Sequence, residues 1–565
     1  MNITDYIPST AEELKKRGWN KLDVIIVTGD AHIDSPFIGS AVIARVLLDA
    51  GYKVGIISQP DPDSDHEIKK LGEPSLFWGV TSGSIDSMVS NYTATGKKRK
   101  NDDLTPGGIN NKRPDLATIK YTNLIKKNFK NHSPIVLGGI EASLRRIAHY
   151  DYMKKKIRRS VLFDSKADFI LYGMAEKSVT ELADALKNST SFENIKGLCY
   201  ISKSVPENFH ILPSYEKVEN DKDKFAQMFL DFYTNKEPFT SSGLAQKHDT
   251  RYLIANPPPA PLSSEELDRV YELPFTREVH PCDLKKGEVR AQETIKHSVT
   301  THRGCYGECS FCAIAVHQGT LVVSRSEKSI LGEVEKISVR KDFKGYISDL
   351  GGPTANMYGF ECSKKLKNGA CKEKKCLFPK VCKNLKPDHR NQIELIKKAE
   401  KLKNIKKVFI ASGIRYDIIL NDRNNGENYL KKIINNNISG QLKIAPENTE
   451  DKILNLMGKP DSQVLLKFKN LFDRLNNNKN FLTYYFIAAF PGCSKKEMLN
   501  LKKFCINKLK HTPKQVQIFT PTPSTVATMM YYTQKDTKGY PVYCAKTNNE
   551  KEMQKKMLIS NSPVK

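Results

Sequence analysis

A regular alternation of strand-like and helix-like segments in the second half of this 565-residue chain constrains its fold more than any other feature. The strand-like segments are short and rich in β-branched and aromatic residues, and the segments between them carry apolar residues at helical spacing. Six parallel strands joined by helices predict a partial (β/α)6 barrel, whose carboxyl face stays open for a ligand. The predicted strands are 294–300, 345–350, 407–411, 441–445, 482–489 and 514–519.

The first half of the chain also alternates strand-like and helix-like segments. Residues 23–28 form a continuous β-branched run, which is typical of a strand buried on both faces. Together with the strand-like segments that follow, this run predicts an α/β domain with a doubly wound parallel sheet. Ligands of such sheets bind at the carboxyl ends of the strands, here the loops 29–39 and 138–143. The basic, glycine-rich insertion 92–114 is predicted to be an exposed loop.

A proline-rich break separates the two halves. Three prolines follow Asn256, and a fourth, Pro261, follows Ala260, a composition that favours extended polyproline geometry. We therefore predict an N-terminal domain over residues 1–255, a linker over 256–290 and a barrel domain over 291–565. Near the N-terminus, Ser9 and Glu12 have the spacing of a capping box that opens a short helix.

Three cysteines at C-x3-C-x2-C spacing, Cys305, Cys309 and Cys312, follow the first predicted barrel strand. They can hold three corners of an iron–sulfur cluster, which ordinarily takes four protein ligands. The fourth iron then keeps an open position, which distinguishes a catalytic metal from a structural one. The alternatives are three unrelated thiols or a zinc knuckle, for which His317 is the only nearby candidate as a fourth ligand. The position of the triad at a strand end favours the cluster.

Four further cysteines lie in a basic insertion, 360–385, after the second predicted barrel strand: Cys362, Cys371, Cys376 and Cys382. Four thiolates satisfy a metal centre without other ligands. We predict a second iron–sulfur cluster or a structural zinc here, with unpaired reduced thiols as the alternative. The remaining cysteines show no ligand spacing and are predicted to be buried structural thiols: Cys199, Cys282, Cys493, Cys505 and Cys544.

The chain carries a formal charge of +27, from 90 basic and 63 acidic residues. Most of the surplus is lysine in surface-like stretches such as 401–407, so we interpret it as a solvated surface rather than as evidence for a nucleic-acid partner. No run of eighteen apolar residues and no signal pattern occur. The cysteines are spaced as metal ligands rather than as disulfide pairs. We expect a cytoplasmic protein that does not associate with membranes.

Several long motifs match one known family. They are Thr-Gly-Asp-Ala-His-Ile-Asp at 28–34, residues 78–88, 137–146 and 349–358, and the pair 519–523 and 530–533. Over nearly its whole length the chain resembles the YgiQ-type radical S-adenosylmethionine (radical SAM) proteins, whose reaction is not generally assigned. The resemblance implies a [4Fe–4S] cluster whose open iron binds S-adenosylmethionine. It further implies reductive cleavage of this cosubstrate to a 5′-deoxyadenosyl radical, with an electron donor such as a flavodoxin or ferredoxin and an unidentified substrate.

The same resemblance assigns roles to loops that follow the later barrel strands. Gly351 and Gly352 would offer backbone carbonyls to the cosubstrate's amino group, although Pro353 stands where many relatives carry an acidic residue. Ser412 and Arg415 are candidates for its ribose hydroxyls and its carboxylate. Arginine suits a carboxylate because its planar fork can bond it twice.

Two features suggest alternative functions. The segment from Ala445 to Glu447 is similar to a motif of radical enzymes that modify RNA bases. In that interpretation Glu447 would contact the cofactor or the substrate. Alternatively, Glu447 would cap the next helix together with Thr449. With the basic charge, this motif makes methylthio or methyl transfer to RNA the second interpretation. A nucleic-acid-binding protein with a structural cluster is the third.

The N-terminal domain is similar in outline to cobalamin-binding modules that precede some radical enzymes. Asp30 and His32 match the D-x-H start of their motif, but Ser35 stands where that motif has glycine. We therefore predict that His32 is a loop histidine rather than a cobalt ligand.

Overall fold

The computed structural model describes residues 3–371, 374–477 and 479–559. The backbone falls into two compact units. Each unit is built from two stretches of chain: Met1–Pro261 with Arg269–Lys296 in the first, and Leu262–Asp268 with His297–Lys565 in the second. Residues 372–373 of the predicted cysteine-rich insertion and the final six residues of the predicted barrel domain lie outside the described residues.

A nine-stranded sheet forms the centre of the first unit and confirms the predicted α/β class. Five strands run parallel, and the other four form a mixed edge with three antiparallel pairings. The order in space is Val54–Ser58, Val24–Thr28, Phe77–Thr81, Ile135–Gly138, Phe169–Leu171, Leu198–Ser202, Arg251–Ala255, Leu244–His248 and His210–Leu212. The order changes direction at Val24–Thr28, which makes its carboxyl end a topological switch point.

The parallel strands are buried because helices cover them. All five residues of Val24–Thr28 are buried, as their β-branched run predicts. Leu47 of the helix Gly39–Asp49 and Leu182 of the helix Glu176–Asn188, both 0% exposed, share one apolar cluster with Val24. Burying a leucine side chain contributes about 1.5–3 kcal/mol, so the apolar spacing of these helices decides which face meets the sheet.

The other helices of the first unit are mostly short connections between strands. The helices are Ala11–Lys16, His66–Lys69, Ser87–Asn91, Ala117–Asn128, Gly139–Leu144, Val161–Ser165, Tyr215–Asn220, Lys222–Thr234, Pro281–Leu284 and Ala291–Ile295. The first unit also contains a hairpin that pairs His149–Asp151 with Lys156–Arg158.

The structure confirms the prediction that 92–114 is an exposed loop for residues 96–101 and corrects it for Asp102 and Arg113, which are buried. Arg113 is 3% exposed, and its guanidinium lies 2.6 Å from Oδ1 of Asp30 and 3.0 Å from Oδ2 of Asp102, both also buried. A buried cation between two carboxylates is structural. Composition could not reveal this, because the partner Asp30 lies far away in the sequence.

Three further boundaries differ from the sequence predictions. The capping box lies one residue later than predicted and uses Thr10 and Glu13. The predicted strand 294–300 shortens to Ser298–Thr300, because residues 291–295 form a helical turn. Within the predicted linker, the backbone N–H of Arg277 donates to the carbonyl of Asp34 at 2.8 Å, so this part of the chain packs in the first unit.

Six successive strand segments build the barrel of the second unit and confirm the predicted partial (β/α)6 architecture. Neighbours pair in parallel in sequence order, with a bridge between Ile414 and Ile444 joining the third segment to the fourth. The segments are Ser298–Thr300, Tyr346–Ile347 with Asp349–Gly351, Lys407–Val408, Gln441–Glu447, Phe481–Ala488 and Gln515–Ile518.

Helices connect these strands, as their apolar spacing predicts. A small hairpin, His302–Arg303 with Val323–Ser324, follows the first strand. No helix among the residues described here has both the length and the apolar character that crossing a membrane requires. The helices are Ser264–Glu272, Ile314–His317, Glu327–Ser338, Ser363–Asn368, Arg390–Glu400, Tyr416–Asn421, Gly426–Lys432, Asp451–Met457, Ser462–Asn476, Lys495–Phe504, Val526–Thr533 and Asn548–Ile559, with π-helical turns at Ile433–Asn437 and Cys505–Leu509.

Candidate functional site

The cysteine triad lies on a tight loop at the carboxyl end of the first barrel strand. Gly304 opens the loop at φ +82°, and a Cβ atom there would lie 1.8 Å from the carbonyl oxygen of Leu321. Only glycine fits such an approach. Cys305, Cys309 and Cys312 follow, each partly buried.

Two of the three sulfurs already receive hydrogen bonds from the protein. The Sγ of Cys305 accepts the backbone N–H of Gly307 at 3.3 Å and lies 3.5 Å from Oγ1 of Thr354. The Sγ of Cys309 accepts Nη1 of Arg415 at 3.6 Å. Burial and then the neighbouring Cys309 raise the pKa of the Cys305 thiol, and the same two causes raise the pKa of Cys312 to about 12. Burial therefore favours the protonated form of Cys305 and Cys312.

The donor set fits a cluster better than a single ion. Zinc in a tetrahedral site would hold its thiolates about 3.8 Å apart, from a Zn–S bond of about 2.3 Å. Among the described residues, neither the triad nor the triad with His317 forms a group of donors within 4.8 Å of one another. A cubane cluster holds its thiolates farther apart than one ion does. Three thiols without a fourth such donor suit a cluster with one open iron.

The end of the second barrel strand connects the loops around the triad. The carbonyl of Gly351 accepts the backbone N–H of Thr301 at 2.7 Å. A Cβ atom on Gly352 would lie 2.7 Å from the buried ring of His302, so glycine is required there. Asp349 accepts the backbone N–H groups of Ala411 at 2.8 Å and of Ser412 at 3.2 Å.

The side chain of Ser412, predicted to contact a ribose, also bonds to Asp349. Its hydroxyl donates to Oδ2 of that carboxylate. Burial raises the pKa of Asp349, and the hydrogen bonds from Ser412 and Ala411 oppose the rise. Because a hydroxyl has one donor and two acceptor lone pairs, Ser412 can still accept a hydrogen bond from a ligand but has no further proton to donate.

Arg415 is 7% exposed, and its guanidinium bonds to both Asp417 and Cys309. Its Nε and Nη2 donate to the two carboxylate oxygens of Asp417 at 2.8 and 2.6 Å, while Nη1 faces Cys309. Burial opposes the charge, but Asp417 outweighs burial and raises the pKa of Arg415. A permanent cation thus lies against the triad.

A buried hydrogen-bond network fixes the backbone of Arg415. Oδ1 of Asn356 accepts its N–H at 2.8 Å, and Nδ2 of Asn356 donates to its carbonyl at 3.0 Å. The same Nδ2 lies 3.3 Å from Nε2 of His389, whose Nδ1 lies 2.7 Å from Oδ2 of Asp422. The motif 349–358 therefore forms the loop after the second barrel strand and, through Asn356, also positions the loop after the third.

Glu447 ends the fourth barrel strand beside the same cation. It is buried at φ +69°, a left-handed conformation that costs a non-glycine residue about 1–2 kcal/mol and is typical of functional sites. Its Oε1 lies 3.8 Å from Nζ of Lys459. Burial raises the pKa of Glu447, while Lys459 and Arg415 oppose the rise.

The alternative role of Glu447 and Thr449 as helix caps is wrong. The helix Asp451–Met457 has Glu450 as its N-cap and no side-chain cap bond. The backbone N–H groups of Thr449 and Glu450 bond instead to Oδ1 of Asn448, at 2.8 and 3.0 Å.

The second cysteine group is only partly assembled. Cys362, Cys376 and Cys382 share one apolar cluster with Cys305, whereas Cys371 is exposed. The backbone N–H of Cys382 donates to the carbonyl of Cys376 at 2.8 Å. Among the described residues, no three of these four thiols lie within 4.8 Å of one another, so a zinc site is not preformed.

Sequence reasoning missed three contributors to the site. Asp417 lies two residues after Arg415, a spacing that does not by itself indicate a carboxylate–guanidinium pair. Lys459 donates to the carbonyl of Ala445 at 2.7 Å. It follows a later helix, and no sequence motif marks it as part of the site. Thr354 could have been found, because it lies in the motif 349–358.

The chain matches the family model described as Radical SAM N-terminal over residues 6–298. It is 54% identical over 558 residues to the UPF0313 protein FN0734 of Fusobacterium nucleatum subsp. nucleatum, covering 98% of each chain. A UPF0313 protein of Thermotoga petrophila is 48% identical over 539 residues, covering 94% of each.

The fold is similar to that of a solved radical enzyme. The cobalamin-dependent S-adenosylmethionine radical enzyme OxsB, with aqua-cobalamin bound, aligns with a TM-score of 0.50 at 13% identity. The alignment covers 94% of this chain and 58% of OxsB. At this identity the likeness concerns the fold alone.

The Arg415–Asp417 contact predicts a stability effect. Arg415→Ala should lower the free energy of unfolding by about 3–5 kcal/mol, because it leaves Asp417 as an unpaired buried carboxylate. The double variant Arg415→Met/Asp417→Leu should be less destabilised, since it removes both charges. Urea unfolding followed by far-UV circular dichroism measures both. Arg390→Ala, at an exposed arginine of the same unit, is the control and should change stability by less than about 0.5 kcal/mol. Equal stability of Arg415→Ala and this control would contradict the prediction.

Proposed function

Since the chain belongs to the UPF0313 (YgiQ-type) family, we propose that it is an iron–sulfur enzyme that cleaves S-adenosylmethionine reductively. The family match supports an enzyme of the radical SAM type. In this proposal Cys305, Cys309 and Cys312 hold a [4Fe–4S] cluster. When bound, such a cluster supplies the single electron that splits the cosubstrate into methionine and a 5′-deoxyadenosyl radical, which takes a hydrogen atom from the substrate. A flavodoxin or ferredoxin would be the electron donor.

The observation that carries the proposal is the arrangement of the triad. Three thiols lie on one loop at the carboxyl end of a barrel strand, without a fourth donor at single-ion distance among the described residues. This is the face on which barrel enzymes bind their ligands. A purely structural site would satisfy every position of the metal with protein ligands.

Arg415 is proposed to place positive charge where negative charge accumulates. Thiolates and the cosubstrate's carboxylate are both anionic, and Nη1 of Arg415 already faces Cys309 at 3.6 Å. Because Asp417 holds the other two nitrogens, the guanidinium keeps one fixed orientation. An orientation fixed before binding costs no reorganisation when the ligand arrives.

The glycine turn and Ser412 are proposed to bind the rest of the cosubstrate. The Gly351 carbonyl already accepts from Thr301, so the carbonyls from Gly352 onward are the better acceptors for an amino group. Ser412 would accept a hydrogen bond from a ribose hydroxyl, since its own proton bonds to Asp349. The turn and the serine lie at adjacent strand ends, which suits one elongated ligand.

No structural feature favours the RNA-modifying alternative. The segment from Ala445 to Glu447, on which it rested, contacts Lys459 within the barrel. Only the basic surface charge remains to support it, and that charge has a simpler explanation in solvation.

A second metal centre is proposed at the other cysteine group. Cys362, Cys376 and Cys382 share an apolar cluster with Cys305, so a centre there would lie close to the first. Lys365 donates to the Sγ of Cys376 at 3.7 Å and would stabilise a thiolate. Iron is favoured over zinc, because the thiols do not form a single-ion site and a neighbouring cluster implies that assembly machinery already acts on the chain.

The triad variant tests the proposed reaction. Replacement of Cys305, Cys309 and Cys312 by Ala should remove one cluster's iron, about four atoms per chain, and abolish formation of 5′-deoxyadenosine from S-adenosylmethionine under dithionite. Iron analysis and chromatography of the nucleoside measure the two effects. The control is Cys505→Ala, a buried thiol of the same unit, which should retain both iron and activity. Unchanged iron in the triple variant would refute the ligand assignment.

The variant that lacks the triad also allows the second centre to be measured alone. This variant should retain iron with acid-labile sulfide, and further replacement of Cys362, Cys376 and Cys382 by Ala should remove that iron. Zinc that depends on these three residues would indicate a structural site instead. Complete absence of metal that depends on them would exclude both forms of the second centre.

A further inference from the structure

A second group of metal-binding side chains lies in the first unit, outside the proposed reaction. A carboxylate oxygen of Glu13, a ring nitrogen of His280 and the Sγ of Cys282 all lie within 4.8 Å of one another. Among the described residues, no other set of three His, Cys, Asp or Glu donors meets this distance. Glu13 and His280 are buried and Cys282 is half-buried. The sequence predicted Cys282 to be an ordinary structural thiol, and the structure places two ligand-type side chains beside it.

The local structure leaves one oxygen of Glu13 for a ligand. Its Oε2 accepts the backbone N–H groups of Ser9 at 2.7 Å and of Thr10 at 3.2 Å. Its Oε1 lies 3.3 Å from Nε2 of His280. His280 and Cys282 lie on either side of Pro281, so both donors come from one short rigid segment.

Two imidazole nitrogens at this place have no hydrogen bond. Nε2 of His280 is outside hydrogen-bond geometry to Glu13 despite the short distance, and Nε2 of His32 is likewise buried without a partner among the described residues. The two rings stack with centroids 4.8 Å apart and 9° between their planes. Nδ1 of His32 lies 2.9 Å from Oγ of Ser9, which leaves Nε2 as its unused nitrogen. Buried polar atoms are normally satisfied, so the unsatisfied Nε2 of His280, beside two other donor side chains, indicates a ligand at this place.

We propose that Glu13, His280 and Cys282 bind a zinc ion, with water as the fourth ligand. Zinc accepts this mixture of oxygen, nitrogen and sulfur, at about 2.0–2.3 Å for each ligand. Magnesium and calcium prefer oxygen ligands alone. A carboxylate and a thiolate together balance the two positive charges of the ion, so the occupied site would bury no net charge.

Zinc binding requires one local change. In this structure Nδ1 of His280 accepts the backbone N–H of Cys282 at 3.2 Å, so the neutral ring carries its proton on Nε2. Coordination through Nε2 moves that proton to Nδ1 and gives up this long hydrogen bond in exchange for a metal–ligand bond. The thiol of Cys282 loses its proton to solvent, as thiolate coordination requires.

A plain ion pair explains less of the geometry. Protonated His280 paired with Glu13 would account for two of the residues and would leave Cys282 without a role. It would also place a charged ring face to face with the buried ring of His32, and its Nε2–H would still lack a well-aligned acceptor. The zinc site gives a role to all three side chains of the donor group.

The test uses the full chain with its iron intact, incubated with equimolar zinc sulfate and then desalted. About one zinc per chain should remain in the unaltered protein and in Cys199→Ala, the control at a buried thiol of the same unit. Cys282→Ser and His280→Gln should both lose it. X-ray absorption at the zinc edge of the unaltered protein should show one sulfur neighbour, with nitrogen and oxygen filling the rest of the shell.

Two results would overturn the proposal. One is zinc retained at the same level in Cys282→Ser and His280→Gln. The other is a zinc shell without sulfur, or with three or four sulfurs, the latter of which would place the ion on the barrel cysteines. The absorption measurement needs no variant, so a misfolded variant cannot obscure the answer. Neither result depends on whether the barrel cleaves S-adenosylmethionine, because iron content and 5′-deoxyadenosine are measured separately.

Discussion

The candidate active site depends on the buried guanidinium of Arg415. Two of its nitrogens bond to Asp417 and a third faces Cys309, so one side chain joins the third barrel strand to the loop after the first. Asn356 fixes the backbone of the same arginine from the second strand. Because a buried charge is tolerated only with its partners in place, these three strand ends cannot shift independently. The positions of the triad, the glycine turn and Ser412 follow from that constraint.

The surroundings of the triad explain why a cationic group belongs there. Burial disfavours the thiolate form of Cys305 and Cys312, yet Arg415 and Lys459 provide positive charge nearby. In the proposed function, a bound cluster would bring further positive charge to this loop. The first unit also pairs a buried arginine with carboxylates, since Arg113 lies between Asp30 and Asp102.

Much of this architecture could be predicted from local sequence patterns, and what could not depends on distant contacts. β-branched runs identified the buried strands, and C-x3-C-x2-C spacing identified three cysteines that lie on one loop, because both signals lie within a few residues. The roles of Asp417 and Lys459 could not be read, since charged residues after strands are common and only the fold shows which of them meet. Arg113 looked like part of an exposed basic loop, because its partner Asp30 lies far away in the sequence. Nothing in the sequence indicated that Glu13 and His280 lie beside Cys282. The shift of the capping box from Glu12 to Glu13 is a one-residue error that changes which carboxylate faces His280.

In the proposed site, the triad holds a cluster with one open iron beside Arg415. Electron paramagnetic resonance of the dithionite-reduced full chain, recorded before and after addition of S-adenosylmethionine, can show whether that iron is open. The cosubstrate should change the g-values of the reduced cluster's signal, because it binds to iron that the protein leaves open. A spectrum from fully loaded protein that does not change at saturating S-adenosylmethionine would contradict it.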